Sequence, residues 1–250
     1  MHLKIRDGNA VHDCALKPSG FIVVSFSSAM KTIASLLLFA SLCIPCGELT
    51  AAPAKPNIIF ILADDLGLDG VSCYGSDRFK GKTPNLDALA ASGVRFTQCY
   101  SMPLCGPTRC TIMTGRYGFR TGGATNQSAG KPSYKTEPSL ARTLKEAGYA
   151  TALVGKWGLG DEGEAAVGLP TRQGFDYFFG YANQHHAHNY YPDHLYRHEE
   201  KVPLRNVQEK GVATRRVEYA PDLFAADAIA FVEANKAKPF FLYFAATLPH

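Results

Sequence analysis

From residue 57 onward the chain alternates short apolar runs with amphipathic stretches. Residues 57–63 (NIIFILA) form a continuous apolar run rich in β-branched side chains, which predicts a strand buried on both faces. Thr83 and Pro84 open a helix with proline at its first position, Leu86, Leu89 and Ala90 on one face, and Gly93 as its stop. Residues 94–99 predict the next strand. Residues 139–147 (SLARTLKEA) predict a second amphipathic helix ended by Gly148 and followed by a strand over 149–154. A third helix is expected over 222–235, with Leu223, Ala226, Ala230 and Phe231 inward, and a further buried strand over 239–246 (PFFLYFAA). Strands alternating with helices imply an α/β layered domain around a large, mostly parallel sheet flanked by helices.

Ligands of such sheets gather beyond the carboxyl ends of the strands. The residues that follow each apolar run there are Asp64 and Asp65, then Gly155, Lys156 and Trp157, then His250. Residues 183–221 are polar, aromatic and irregular, which suits a long surface loop beside a site.

The N-terminal 52 residues have a different character. Met30 and Lys31 precede an apolar run over 32–44 (TIASLLLFASLCI) and small residues through Ala52, the pattern of a secretory signal peptide over 30–52. The run is too short for a bilayer-spanning helix, which needs about 20 apolar residues, so no stable membrane span is expected; a buried core helix is the other reading. Residues 1–29 carry no comparable pattern and read as a leader that precedes the true start, so the globular part is 53–250. The expected destination is outside the cytoplasm, periplasmic or secreted. Composition agrees with a globular chain: 250 residues, 46% hydrophobic and 19% charged. A net charge of +4, dispersed along the chain, argues against a nucleic-acid partner. Beyond the leader stand Cys73, Cys99, Cys105 and Cys110, too few for a disulfide scaffold, although an exported chain tolerates disulfides.

Adjacent carboxylates at the end of a buried strand repel each other, and a divalent cation relieves that repulsion. Oxygen ligands favour a hard ion, calcium ahead of magnesium, over zinc. The alternative for Asp64 and Asp65 is one helix cap and one solvated side chain. The second feature is residues 103–116, PLCGPTRCTIMTGR. Cys105 precedes a turn at Gly106-Pro107, and a helix expected over 108–113 points its free N–H groups back at the cysteine, which suits an anion, while Arg109, one turn on, adds a fixed cation. A disulfide to Cys110 or half of a C-x4-C metal set are the alternatives.

The string C-G-P-T-R, with T-G-R following, resembles the sulfatase signature C-x-P-S/T-R, in which the cysteine is oxidised to formylglycine. Three further segments agree in order: N-I-I-F-I-L-A-D-D-L-G from Asn57, T-P-N-L-D-A-L-A from Thr83, and G-Y-A-T-A-L-V-G-K-W from Gly148. The resemblance runs from Asn57 to His250 and implies an alkaline-phosphatase-like sulfatase fold that hydrolyses sulfate esters, of aryl alcohols or of carbohydrates. It implies that Asp64, Asp65 and Cys105 hold a calcium ion and that Cys105, as formylglycine made by a maturation enzyme, is the nucleophile. One hydroxyl of its hydrated aldehyde would attack sulfur; the other would expel sulfate. Arg109 would orient the diol, Lys156 would clamp a sulfate oxygen and His250 would serve the leaving oxygen.

The chain departs from the family pattern in two places. Sulfatases commonly read G-K-W-H-x-G, whereas Gly158 stands where the histidine is expected. A replacement is sought in residues 184–188 (QHHAH), with Gln184 and His185 where relatives place sulfate-side polar groups; a solvated or second-metal loop is the alternative. No Asp-Asn pair occurs in the 250 residues, so the remaining calcium ligands of the family are expected beyond His250, and the chain is expected to be the N-terminal part of the enzyme. Competing functions are a phosphonate or phosphate monoester hydrolase of the same superfamily, a non-catalytic binder of sulfated glycans, and a disulfide-bearing structural domain. Tyr190, Tyr191, His194, Tyr196 and Arg197 are candidates for a sugar subsite, and Asn126-Gln127-Ser128 matches a glycosylation acceptor.

Overall fold

The computed structural model describes residues 4–7, 10–13, 55–126, 138–160 and 168–250. The signal-peptide segment 30–52 lies outside the described residues. The chain divides into two compact units, 1–53 and 54–250. In the first, β1 (Lys4–Asp7) and β2 (Ala10–Asp13) pair as an antiparallel hairpin.

The second unit is built on a six-stranded sheet. In chain order its elements begin with β3 (Ile58–Asp64), α1 (Pro84–Ser92), α2 (Cys105–Thr114), the single turn α3 (Gly118–Thr121) and α4 (Leu140–Glu146). They continue with β4 (Ala150–Lys156), β5 (Tyr177–Tyr181), β6 (His194–Arg197), β7 (Glu200–Pro203), a separate hairpin of β8 (Val207–Glu209) and β9 (Val212–Arg215), α5 (Ala220–Asn235) and β10 (Phe240–Pro249). The strand order is β3-β10-β4-β5-β6-β7. The first four strands are parallel and the last two join antiparallel. This is the α/β sheet that the alternating pattern predicts.

The two faces of the sheet bury different sets. Leu153, Trp157, Phe175, Phe178, Phe241 and Tyr243 form the layer that includes Cys110 and Met113 of α2 and Ala141 of α4. Ala152, Val154, Phe179, Tyr181 and Leu242 meet Phe224 and Ala228 of α5 on the other. Trp157 meets Phe175 edge-on at 5.8 Å, a geometry worth about 1 kcal/mol beyond the area buried, and its indole N–H donates to the Gly168 carbonyl at 2.7 Å. Ser139 caps α4 by accepting from the Arg142 N–H at 3.1 Å.

Several expectations are corrected. Among the described strands β3 lies at the edge of the sheet, and it is covered on one face only. Ile58, Phe60 and Leu62 pack on the core, while Ile59 and Ile61 are exposed. Residues 94–99 form no strand; Val94 and Phe96 are exposed, and no described strand lies alongside to complete a ladder. α5 starts two residues early, with Pro221 in its first turn; its buried residues are Ala220, Phe224 and Ala228, Leu223 and Phe231 pack beside them as expected, and Ala226 and Ala230 are exposed. The stretch 183–221 is not one loop but carries four strands. Lys210 and Gly211, with φ of 50° and 78°, supply the two left-handed positions of a tight turn between β8 and β9. Cys73, Cys99, Cys105 and Cys110 are all free thiols, and the last two share α2, so the disulfide reading does not hold among the described residues.

Gly155 decides how β4 ends. Its φ is +111°, and a Cβ there would lie 2.1 Å from the Ala245 carbonyl oxygen of β10, while opposite it stands Gly180 of β5. Gly155→Ala is therefore expected to cost about 3 kcal/mol, because strain and backbone overlap add. Urea denaturation of the two proteins checks this, and an unchanged midpoint would contradict it.

Candidate active site

Parallel β3, β10 and β4 end at the same edge of the sheet, which brings residues far apart in sequence together. Pro249 lies opposite Asp64, and the His250 N–H donates to the Asp64 carbonyl at 3.1 Å. Asp64 is 4% exposed and Lys156 fully buried, and the Lys156 ammonium donates to Asp64 Oδ2 at 2.6 Å. Arg109, on the second turn of α2 and also fully buried, places Nη2 3.5 Å from Asp64 Oδ1 and donates from Nη1 to the Lys156 carbonyl at 2.6 Å. One carboxylate thus faces two cations out of water. Asp65 follows with a left-handed φ of 62° and an exposed side chain, and His250 Nδ1 sits 3.0 Å from its Oδ2 and 3.7 Å from Asp64 Oδ2.

Cys105 is the first residue of α2, and its thiol points toward the loop carrying Gln184, whose side-chain amide donates to the sulfur. The Asn126 carboxamide oxygen accepts from the Gly106 N–H at 3.0 Å and lies 3.9 Å from the sulfur, so it satisfies a free donor of the helix start. The Asn126 oxygen is therefore engaged within the protein, a role the glycosylation reading does not foresee. Gly158 has a φ of +72°, and a Cβ added there would fall 2.5 Å from Gln184 Oε1. The missing histidine and the long amide thus contend for one space.

The histidines of 184–188 separate. His188 stacks on His250 with ring centroids 4.7 Å apart. Burial, then the neighbouring Lys156, His250 and His185, hold its pKa below the ordinary imidazole value, with Asp64 opposing. His185 is exposed and touches the group only through the His188 ring, at 6.1 Å. His186 turns toward Tyr181 and His194. A cleft of about 470 Å³ adjoins the histidines, lined among others by Tyr190, Tyr191, Gln208 and Arg216. Of the residues considered for a sugar subsite, Tyr190 and Tyr191 line it; Tyr196 is buried, and Arg197 pairs with Asp227 and covers the Phe179 ring.

The geometry leaves specific atoms in want of partners. Arg109 Nε and Nη2 and Gln184 Oε1 are buried without a hydrogen-bond partner, a state that costs free energy unless further groups arrive. Asp64, Asp65 and His250 offer ligand atoms within 4.8 Å of one another. These carboxylates suit a hard cation and give at most part of the six to eight oxygens that calcium takes.

The sulfatase family profile matches residues 56–250. The chain belongs to the sulfatase family. This sulfatase is 34% identical over 198 residues to an N-acetylglucosamine-6-O-sulfatase of Bacteroides thetaiotaomicron, covering 78% of this chain and 31% of that one. It is 42% identical over 143 residues to human steryl-sulfatase, covering 52% and 24%. A solved structure described as a complex with its substrate, D-glucosamine-2-N,6-O-disulfate, superposes with a TM-score of 0.63 at 32% identity, over 78% of this chain and 35% of that one. The chain thus spans about a third or less of the length of these relatives.

Of the residues singled out from the sequence, Asp64, Asp65, Arg109, Lys156 and His250 come together at the ends of β3, β4 and β10; Cys105 meets Gln184 at the start of α2 and is not among the atoms grouped with Asp64 and Asp65, and His185 stays exposed. The sequence offered His188 only as one of three histidines in residues 184–188, and Asn126 only as a glycosylation acceptor. The spacing of QHHAH could have marked His188 but not chosen it among three histidines; nothing local marks Asn126. No described helix is long and apolar enough to cross a membrane.

The ion pair generates a stability prediction. Lys156→Met leaves the buried Asp64 carboxylate with only the longer contacts to Arg109 and His250 and is expected to cost about 3 kcal/mol in urea denaturation. Adding Asp64→Asn should recover part of that loss; a Lys156→Met protein as stable as the parent would show the pair to be dispensable.

Proposed function

We propose that the chain forms the nucleophile-bearing part of an exported sulfuric ester hydrolase in which Cys105, oxidised to formylglycine by a maturation enzyme, attacks the sulfur of a sulfate ester beside a calcium ion. The observation that carries this reading is the position of Cys105 at the start of α2, with the Arg109 guanidinium one turn behind it, ion-paired to Asp64 through Nη2 but with no hydrogen-bond partner at Nε or Nη2. An ordinary structural cysteine has no use for that constellation.

Asp64 and Asp65 would hold the ion, together with Cys105 in its oxidised form, and a calcium ion there would draw charge from the sulfate oxygens. When hydrated, the aldehyde supplies a hydroxyl to attack sulfur and a second whose deprotonation expels sulfate. The chain's own groups provide the rest. Arg109 Nε and Nη2 donate to the diol oxygen, and Lys156 turns from Asp64 toward a sulfate oxygen. The Gln184 amide steadies the nucleophile from the opposite side. His250, with its side chain 33% exposed, gives a proton to the leaving oxygen. His188, stacked against it and with a depressed pKa, is a neutral proton acceptor at neutral pH and takes the task that a histidine at Gly158 has in relatives.

A sulfated carbohydrate is the favoured substrate class. Support comes from the relatives whose names specify sulfated sugars and from the tyrosines and Arg216 lining the adjoining cleft. Aromatic faces suit sugar rings and a guanidinium suits a second anionic group.

The deciding experiment is mass spectrometry of the Cys105 peptide from protein made with a formylglycine-generating enzyme, together with sulfate release from glucosamine 6-sulfate by the full open reading frame product. An aldehyde at Cys105 and sulfate release that Cys105→Ala abolishes are expected; an unmodified thiol would overturn the reading. In the same assay His188→Asn is expected to lower kcat by about 100-fold with little change in KM, and His185→Asn to change both less than threefold. Equal effects of the two substitutions would remove His188 from the mechanism.

A further inference from the structure

A second cluster lies on the far side of the 184–188 segment. We infer that His186, Asp193 and His194 form a binding site for a zinc-class divalent ion, separate from the calcium site proposed above. The ligand atoms of the three all lie within 4.8 Å of one another. His194 Nδ1 is 2.8 Å and His186 Nε2 is 3.8 Å from the same carboxylate oxygen, Asp193 Oδ1. A tetrahedral ion bound at about 2.1 Å sets its ligand atoms about 3.4 Å apart, so side-chain shifts of less than about 1 Å convert this triangle into three legs of a tetrahedron.

The triangle is held from behind. The His186 and His194 rings face each other with centroids 4.4 Å apart and a tilt of 33°. Tyr181 meets His186 edge-on at 5.1 Å and Tyr196 meets His194 at 5.4 Å, and both tyrosine rings are buried in the sheet. The His186 N–H donates to the Asn183 side chain at 2.8 Å, which fixes the turn that carries it. The two imidazoles are thus pinned by elements that do not depend on the ion, as a prepared site requires. Asp193 supplies the anionic ligand, its Oδ1 being the one atom that both imidazoles approach.

The donor set selects the ion. Two imidazole nitrogens and one carboxylate oxygen suit zinc and its neighbours in the transition series and are a poor shell for calcium, which takes only oxygen. Three protein ligands leave one position for water, and Asp193, with its side chain 55% exposed, faces solvent there. An ion at this place fastens the 186–188 turn to β6, and the same turn carries His188 into the active site.

Isothermal titration of Zn2+ into chelator-treated full-length protein tests the inference. One tight equivalent is expected, with a raised melting temperature and no competition from excess Ca2+. His194→Ala and, as a milder change at an exposed position, Asp193→Asn should each weaken that equivalent by about 100-fold while circular dichroism shows the fold intact. His250→Ala, which disrupts the Asp64–Asp65–His250 cluster, should leave it unchanged. Absence of Zn2+ binding by the parent protein, or binding that survives both His194→Ala and Asp193→Asn and disappears with His250→Ala, would overturn the site.

Discussion

The Asp64 carboxylate, withdrawn from water and set against Lys156 and Arg109, is the interaction on which the rest of the site depends. A lone buried carboxylate is costly, and the fold meets that cost by delivering two cations from different elements to one point. The strand order makes this delivery geometric rather than accidental. β10 lies between β3 and β4 and runs parallel to both, so Asp64, Lys156 and His250 end on the same edge. α2 packs across one face of the sheet, which brings the Arg109 side chain to the Lys156 carbonyl. Gly155 permits the close backbone approach at the last step of β4 that a residue with a Cβ would forbid.

The same arrangement sets the charge of the site. One buried carboxylate balances only one of two buried cations, and the second carboxylate, Asp65, is exposed beside His250. The remaining positive charge, with Arg109 Nε and Nη2 lacking hydrogen-bond partners, favours an anion at the start of α2, where the helix dipole adds in the same sense. A sulfate group is a suitable occupant for this electrostatic reason alone, before any family likeness is considered.

What the sequence made legible follows from the range of each signal. β4, β10 and α4 are continuous apolar or amphipathic segments with capping residues at their ends, so local pattern suffices for them. Asp64 and Lys156 end the apolar runs of β3 and β4 and were legible for that reason, whereas Cys105 and Arg109 were legible from the C-G-P-T-R string itself. The exposed face of β3 was not, because an apolar run carries no record of whether a neighbour lies on each side; Ile59 and Ile61 read the same whether covered or bare. Residues 94–99 have strand-like composition, but a strand needs a partner, which composition does not supply. The 183–221 segment hid its hairpins since their strands are only three or four residues long, and Asn126 reaches Gly106 across 20 residues by a contact that no local pattern encodes.

The absence of a histidine at 158 becomes intelligible when Gly158 and Gln184 are taken as one unit. The backbone at 158 is left-handed, and the Gln184 amide fills the space above it while it donates to the Cys105 sulfur. A histidine there would strain the backbone and displace the amide. The two residues are therefore exchangeable only together, which explains why losing a basic side chain from β4's end need not leave a void. Among the described residues the imidazole stacked on His250 is that of His188, the group proposed above to take the proton in place of a histidine at 158. Its 3-10 turn, 186–188, presents one histidine to the site and another to the cluster with Asp193 and His194, so the rigidity of that turn is a property both sides share.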